Sequence, residues 1–300
     1  MIKQGLRPLF LLSFYRMNNQ LILNECPRDA MQGLANFVPT ELKIRYHNAL
    51  LKAGFARLDF GSFVSPKAIP QLSDTAEVVE KLELNGRTKL LAIVANRRGA
   101  EAALEFEQID FLGFPLSVSE QFQQRNTNKT IQEALAEIAE MQNLCLSKRR
   151  KLVVYLSMAF GNPYGETYSP ELVMEYGERL LQMEIQHLSL ADTVGMAGPE
   201  EVFSLFHTVS KPWEKVEVTA HLHASPRNAE AKIAAAWQAG CRNFDVALGG
   251  YGGCPMAEDK LVGNLSTEIL LNWAAENGIQ SAVNPEALRE AKAMLPVIFG

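Results

Sequence analysis

Lys215-Val216-Glu217-Val218-Thr219-Ala220-His221-Leu222-His223 is an apolar, partly β-branched run that ends in two histidines two positions apart. Such a run reads as a strand, and the strand's period of two puts both imidazoles on one face. At ~3.3 Å of rise per residue the rings are rooted roughly 6.6 Å apart, close enough to converge on one ion beyond the strand's end. A histidine in that position also caps carbonyls or faces water, so the pair alone does not define a metal site. What surrounds it along the chain has to decide.

The same kind of run recurs at 20–25, 57–61, 89–95, 109–114, 151–158, 185–191 and 242–248, which with 215–223 makes eight. Between them lie segments of helical spacing at 40–54, 74–84, 131–147, 169–183, 199–209, 226–240 and 266–278, with a last one at 285–294. In the first of these, Thr40 is placed to cap the start and Gly54 the end. Strands alternating with helices predict a parallel sheet with right-handed crossovers, and eight units close a (β/α)8 TIM barrel. An open doubly wound sheet would carry a Gly-rich phosphate turn after its first strand, where this chain has Cys26-Pro27-Arg28-Asp29. No Gly, Ser or Pro-rich linker interrupts residues 17–300, which read as a single domain. Residues 1–16 read as a disordered extension ahead of Met17: the apolar run after Lys3 and Arg7 is short, and no small-residue cleavage site follows.

Three hundred residues with a formal charge of −5 carry no basic stripe for nucleic acid and no apolar stretch of the ~20 residues needed to cross a bilayer. Cys26, Cys145, Cys241 and Cys254 are widely spaced, with no C-x-x-C pair, so neither a zinc knuckle nor a disulfide framework is expected. A reducing, cytoplasmic location fits best.

In a barrel the functional groups gather where strands end, because all eight carboxyl ends surround one cavity. Arg28 and Asp29 follow the first run, and Asp59 precedes Gly61-Ser62-Phe63 on the second. Asp192-Thr193 ends the sixth, His221 and His223 end the seventh, and Gly249-Gly250-Tyr251-Gly252-Gly253-Cys254 follows the eighth. Asp29, His221 and His223 supply one hard oxygen and two neutral nitrogens, leaving about three of six octahedral positions open. Mg²⁺ or Mn²⁺ suits that set better than a closed, thiolate-rich zinc site. The other reading of Asp29 is a carboxylate paired with Arg28 or capping the next helix. Arg28 is placed to act as a fixed donor where charge develops on oxygen, or else lies on the surface. The glycines from 249 to 263 suggest a mobile lid, and Cys254 on it either transfers a proton or lies buried and inert. Cys26 reads as packing.

These residues together resemble the 3-hydroxy-3-methylglutaryl-CoA lyase family over about residues 20–290. The motifs are Pro27-Arg28-Asp29-Ala30-Met31-Gln32, Ser62-Phe63-Val64-Ser65-Pro66-Lys67 with Pro70-Gln71, and Ser189-Leu190-Ala191-Asp192-Thr193-Val194-Gly195. His221-Leu222-His223 and Gly252-Gly253-Cys254-Pro255 leading to Gly263-Asn264 complete the set. The resemblance implies a divalent-metal lyase that cleaves a 3-hydroxy-acyl-CoA by a retro-Claisen reaction, giving acetyl-CoA and acetoacetate from the type substrate. It implies Asp29, His221, His223 and Asn264 as metal ligands, and catalytic roles for Arg28, Asp29, Cys254, His221 and Asp59. It places Arg28, Gln32, Ser62, Asp192 and Thr193 around the substrate, with a homodimer or larger homo-oligomer as the assembly.

Four departures bear on the substrate. Asp59 stands where the family commonly has Glu, and Gly33-Leu34-Ala35 replaces a more polar stretch. Ala224 stands where an Asp often follows the second histidine, and the segment from Cys254 to Asn264 is one residue longer. The competing readings are a Claisen-type synthase or aldolase acting on a hydroxy-keto acid, against which Gly-Gly-Cys-Pro speaks, and a barrel that binds metal or CoA without turnover.

Overall fold

The strand Lys151–Ser157 shows how the chain builds its sheet. Leu152, Val154 and Leu156 pack into the large core beneath the helices, while Val153 and Tyr155 point the opposite way, into a smaller cluster with Leu91, Ile93 and Phe111. A strand covered on both faces needs a nearly continuous apolar run, which is why these segments do not alternate with polar residues. The computed structural model describes residues 20–253 and 262–300. Its strands are β1 (Gln20–Glu25), β2 (Arg57–Ser62), β3 (Lys89–Ile93), β4 (Ile109–Ser117), β5 (Lys151–Ser157), β6 (His187–Asp192), β7 (Glu217–Leu222) and β8 (Asn243–Val246). Each lies parallel to the next, and β1 pairs with both β8 and β2, so the ring closes as a (β/α)8 barrel in one domain. A two-residue strand, β9 (Gln280–Ser281), pairs with Gln20 and Leu21 at the start of β1. The expected extension at 1–16 lies outside the described residues.

The helices follow from caps and periodicity. Ile131–Ser147 begins at a capping box: Thr130 Oγ1 accepts the Glu133 N–H at 3.1 Å and the Glu133 carboxylate accepts the Thr130 N–H at 2.8 Å. Ile131, Ala134, Leu135, Ile138, Met141 and Cys145 recur at three and four residues and are buried. Each large apolar side chain so buried contributes about 1.5–3 kcal/mol. Thr40 is not a cap: Pro39 holds that position without a side-chain bond, whereas Gly54 ends the helix at φ 81°. The crossover between β3 and β4 contains a helix, Arg97–Ala103, that the apolar spacing does not signal. Its cap does, because Asn96 Oδ1 accepts the Gly99 N–H at 2.9 Å. Ser119 likewise caps the unanticipated helix Glu120–Thr127.

At the base of the barrel the Arg57 guanidinium lies 4.3 Å over the Phe111 ring and pairs with Glu217, while His187 stands edge-on to Phe111. These groups close the lower end and leave the strands' carboxyl ends as the open one. No helix among the described residues is long and apolar enough to cross a membrane.

Candidate active site

After β1 the Cys26 N–H bonds the Val246 carbonyl of β8, and Pro27 starts the one-turn helix Pro27–Met31. Proline's fixed φ suits a first helical position, and the abrupt turn sets Arg28 and Asp29 into the mouth of the barrel. Arg28 reaches across to β2: Nε donates to Asp59 at 3.0 and 3.1 Å and Nη2 to Asp59 Oδ2 at 2.5 Å. Its Nη1 donates to Asp29 at 3.0 Å and to Gln32 at 2.9 Å. The shorter side chain at Asp59 thus meets the guanidinium directly. Of the five guanidinium hydrogens, one on Nη2 has no acceptor among these bonds.

At the end of β7, His221 and, just past the strand, His223 face inward while Ala220 and Leu222 pack outward into the core. His221 Nδ1 donates to Asp245 Oδ2 at 3.1 Å, and that carboxylate is itself held by Ser189 at 2.9 Å and Asn24 at 2.9 Å. His223 Nδ1 donates to the Val262 carbonyl at 2.9 Å. A carbonyl can only accept, so this ring carries its proton on Nδ1, and both rings are left with Nε2 as a donor atom. Asn264 forms a β-bridge with His223 and donates to Asp29 Oδ2 at 2.7 Å. Asp29, His221 and His223 offer ligand atoms all within 4.8 Å of one another, so residues distant in sequence form one group able to hold a metal ion. The donor chemistry, one carboxylate with two oriented imidazoles, fits a divalent cation.

The electrostatics favour an ionised Asp29 and a neutral His223, as a cation site requires, while His221 holds a proton more readily. Burial works against ionisation of Asp29, but Arg28, His221, His223 and the Asn264 amide outweigh it and hold its pKa at about 2. Burial pushes Asp59 up to about 6 against the pull of Arg28. For His221, burial disfavours the charge but the Asp245 carboxylate, with Asp29, more than compensates and raises its pKa. His223 is lowered, by burial and then by its neighbour His221.

The cavity has a volume of about 280 Å³. Arg28, Asp29, Gln32, Thr193, His221 and His223 line it, together with Tyr155 and Ser157 from β5, Asn126 and Thr127, and an apolar wall that includes Val64, Ile69, Ile93 and Pro115. Two residues expected around the substrate do not line it. Ser62 Oγ donates to the Ile93 carbonyl and accepts the Val64 N–H, bracing the start of the β2 loop. Asp192 is the counter-charge of Lys232, whose ammonium lies 2.7 Å away and is fully buried. Cys254 lies outside the described residues. The loop before it needs its glycines, since Gly249, Gly250, Gly252 and Gly253 all have positive φ. Cys26 is packed at 1 % exposure, and burial drives its thiol pKa well up.

Asp245, Asn24, Tyr155 and Lys232 escape the motif reading. Asp245 and Asn24 carry a signal nonetheless, as polar residues inside otherwise apolar strands. With Ala224 in place of an acid after His223, the orienting carboxylate comes from β8 and acts on His221.

A parallel barrel in which ionisable side chains on or just after β1, β5 and β7 line one cavity at the strands' carboxyl ends is an enzyme's architecture, here that of a carbon–carbon lyase. The chain belongs to the HMGL-like family, whose model matches residues 20–295. It is 32% identical over 292 residues to (R)-citramalyl-CoA lyase of Chloroflexus aurantiacus, covering 93% of this chain and 90% of that one. It is also 32% identical over 265 residues to a hydroxymethylglutaryl-CoA lyase of Bacillus subtilis, covering 88% of each. Among solved structures it resembles an HMG-CoA lyase from Acinetobacter baumannii in complex with coenzyme A and 3-methylmalate. The TM-score is 0.88 at 33% identity, over 94% of this chain and 92% of that one.

Proposed function

We propose that this lyase cleaves a 3-hydroxy-3-methyl-acyl-CoA carrying a terminal carboxylate, with 3-hydroxy-3-methylglutaryl-CoA as the type substrate and Mg²⁺ or Mn²⁺ as cofactor. The observation that carries the reading is the convergence of Asp29, His221 and His223 beside the fixed guanidinium of Arg28. In the retro-Claisen step the C3 hydroxyl loses its proton, the C2–C3 bond breaks and C3 becomes a ketone. The released electron pair forms the thioester enolate, which takes a proton at C2 to give acetyl-CoA.

Asp29, His221, His223 and Asn264 would hold the cation, which when bound would supply Lewis acidity that eases loss of the hydroxyl proton. Both Asp29 and His221 stand at the cavity wall, but with His221 Nδ1 bonded to Asp245 and Nε2 left for the cation, the carboxylate of Asp29 is the group placed to take the hydroxyl proton. Arg28 presents its remaining Nη2 hydrogen to the thioester oxygen as negative charge builds there, and Asp59 and Gln32 keep the fork from swinging. Val64, Ile69, Ile93 and Pro115 receive the apolar part of the acyl group and exclude water from the enolate. Cys254 would return the proton at C2.

The same chemistry on citramalyl-CoA gives pyruvate in place of acetoacetate, and the C. aurantiacus relative supports that acyl group as the second reading. Incubating the purified protein with Mg²⁺ or Mn²⁺ and each thioester, then repeating after chelation, tests both. Acetyl-CoA with acetoacetate or pyruvate should form and stop on metal removal. Formation that persists in fully metal-free protein, or fails with both thioesters, refutes the reading.

A further inference from the structure

Residues 280–300 run from the base of the barrel to its mouth. β9 pairs with the start of β1, the helix Pro285–Ala293 packs along Thr40–Ala53, and Leu295–Phe299 ends against the loop that follows β8. There the Phe299 ring lies flat on Tyr251, with centroids 4.2 Å apart and planes within 5°. A second tether lies close by: Lys292 Nζ is 3.1 Å from one Glu268 oxygen, and the other accepts the Gly249 N–H at 2.9 Å.

The held loop touches the cation group directly. The Tyr251 carbonyl accepts a hydrogen from Asn264 Nδ2 at 2.9 Å, and the same nitrogen donates to Asp29 Oδ2 at 2.7 Å. An amide nitrogen has two hydrogens, so these bonds fix the rotation of the Asn264 side chain and leave Oδ1 as its atom for a cation. Gly252 packs so closely that a Cβ there would lie 2.6 Å from Asn264 Nδ2 and 3.0 Å from the Asp29 carbonyl. Four glycines of positive φ give this loop a large backbone entropy to lose on ordering, which contacts from outside the glycines must help offset. An aromatic stack supplied by the chain terminus does.

We propose that Phe299 and Tyr251 are positioning residues: their stack fixes the Tyr251 carbonyl and, through it, the Asn264 amide and the Asp29 carboxylate. The C-terminal helix thereby becomes part of the cation site. The second half of this rests on the reading of Asp29 and Asn264 as ligands. The test compares the parent with Phe299→Ala, Phe299→Trp and, as a control at an exposed neighbouring position, Val297→Ala. Backbone hydrogen exchange, Mn²⁺ titration calorimetry and thermal unfolding are measured on each.

Phe299→Ala should speed exchange at residues 249–253 and 262–266 by roughly twofold to tenfold, the range an aromatic pair supports, and weaken Mn²⁺ affinity by a similar factor. Exchange in β4–β6 and the unfolding midpoint should stay put, Phe299→Trp should restore both quantities, and Val297→Ala should change neither. Unchanged loop exchange in Phe299→Ala overturns the proposal, as does faster exchange with unaltered Mn²⁺ affinity, or an affinity loss that only follows a lowered unfolding midpoint. A parent protein that binds no Mn²⁺ sinks the ligand reading and the coupling to it, while the exchange rates still decide whether the stack governs the loop.

Discussion

Asp245, which does not itself line the cavity, receives the Nδ1 hydrogen of His221 at 3.1 Å and so fixes which nitrogen of that ring faces the cavity. Orienting partners of this kind are typically worth about 10–100-fold in metal affinity. Asp245→Asn should therefore bind Mn²⁺ about 10–100-fold more weakly by calorimetric titration while the barrel remains folded. Parent-like affinity would mean that Ser189, Asn24 and packing orient the imidazole without the charge.

Arg28 braces Asp59 and, on the proposed function, stabilises the developing oxyanion, and one substitution separates the two. Arg28→Lys keeps a positive charge but cannot form the two-pronged bond to Asp59 while also reaching Asp29 and Gln32. Turnover should fall by about 10²–10³, as for loss of a donor to a developing oxyanion, with KM changed far less. A kcat within a few-fold of the parent would show that the guanidinium only braces Asp59.

Gly252→Ala tests the contact of the β8 loop with the site. The added methyl would overlap the Asn264 amide and the Asp29 backbone at a φ of +96°, which only glycine adopts readily. Most of the activity should disappear with little change in the unfolding midpoint, because the loop lies outside the barrel core. Full activity in the purified variant counts against the close packing described.

Glu25 makes stability depend on pH. It is fully buried, accepts the Leu248 N–H at 2.6 Å and the Thr267 hydroxyl at 2.7 Å, and burial, only partly offset by these bonds, pushes its pKa up to about 8. The folded protein thus keeps a proton that the unfolded chain gives up near 4.5. This contribution is complete below about pH 4.5, shrinks as pH rises and is gone above about pH 8. Glu25→Gln should flatten the fall of unfolding free energy across that window by up to ~1.4 kcal/mol per pH unit in denaturant titrations. Parallel pH profiles for the two proteins would contradict the assignment.

The barrel was legible because a buried parallel strand leaves an apolar run, and all eight runs identified from the sequence are strands. The Arg97–Ala103 helix was not, since Arg97-Arg98-Gly99 gives it a polar, weakly helical start and only the Asn96 cap betrays it. Within the site, strand parity held more information than motif proximity. Ala191 and Thr193 line the cavity, so Asp192 between them must point away, towards Lys232. Ser62 shares its parity with Leu58 and Phe60, both in the outer core. Asp245 showed only that a strand interior buries an acid; that its partner is the His221 imidazole on the next strand is a tertiary fact the local sequence does not carry.

The stopper formed by Arg57, Glu217 and Phe111 makes the barrel a vessel with one doorway. On the proposed function, a thioester entering acyl end first would leave its nucleotide at the rim, so the deep wall and the outer lip could diverge separately, one choosing the acid and the other holding the carrier.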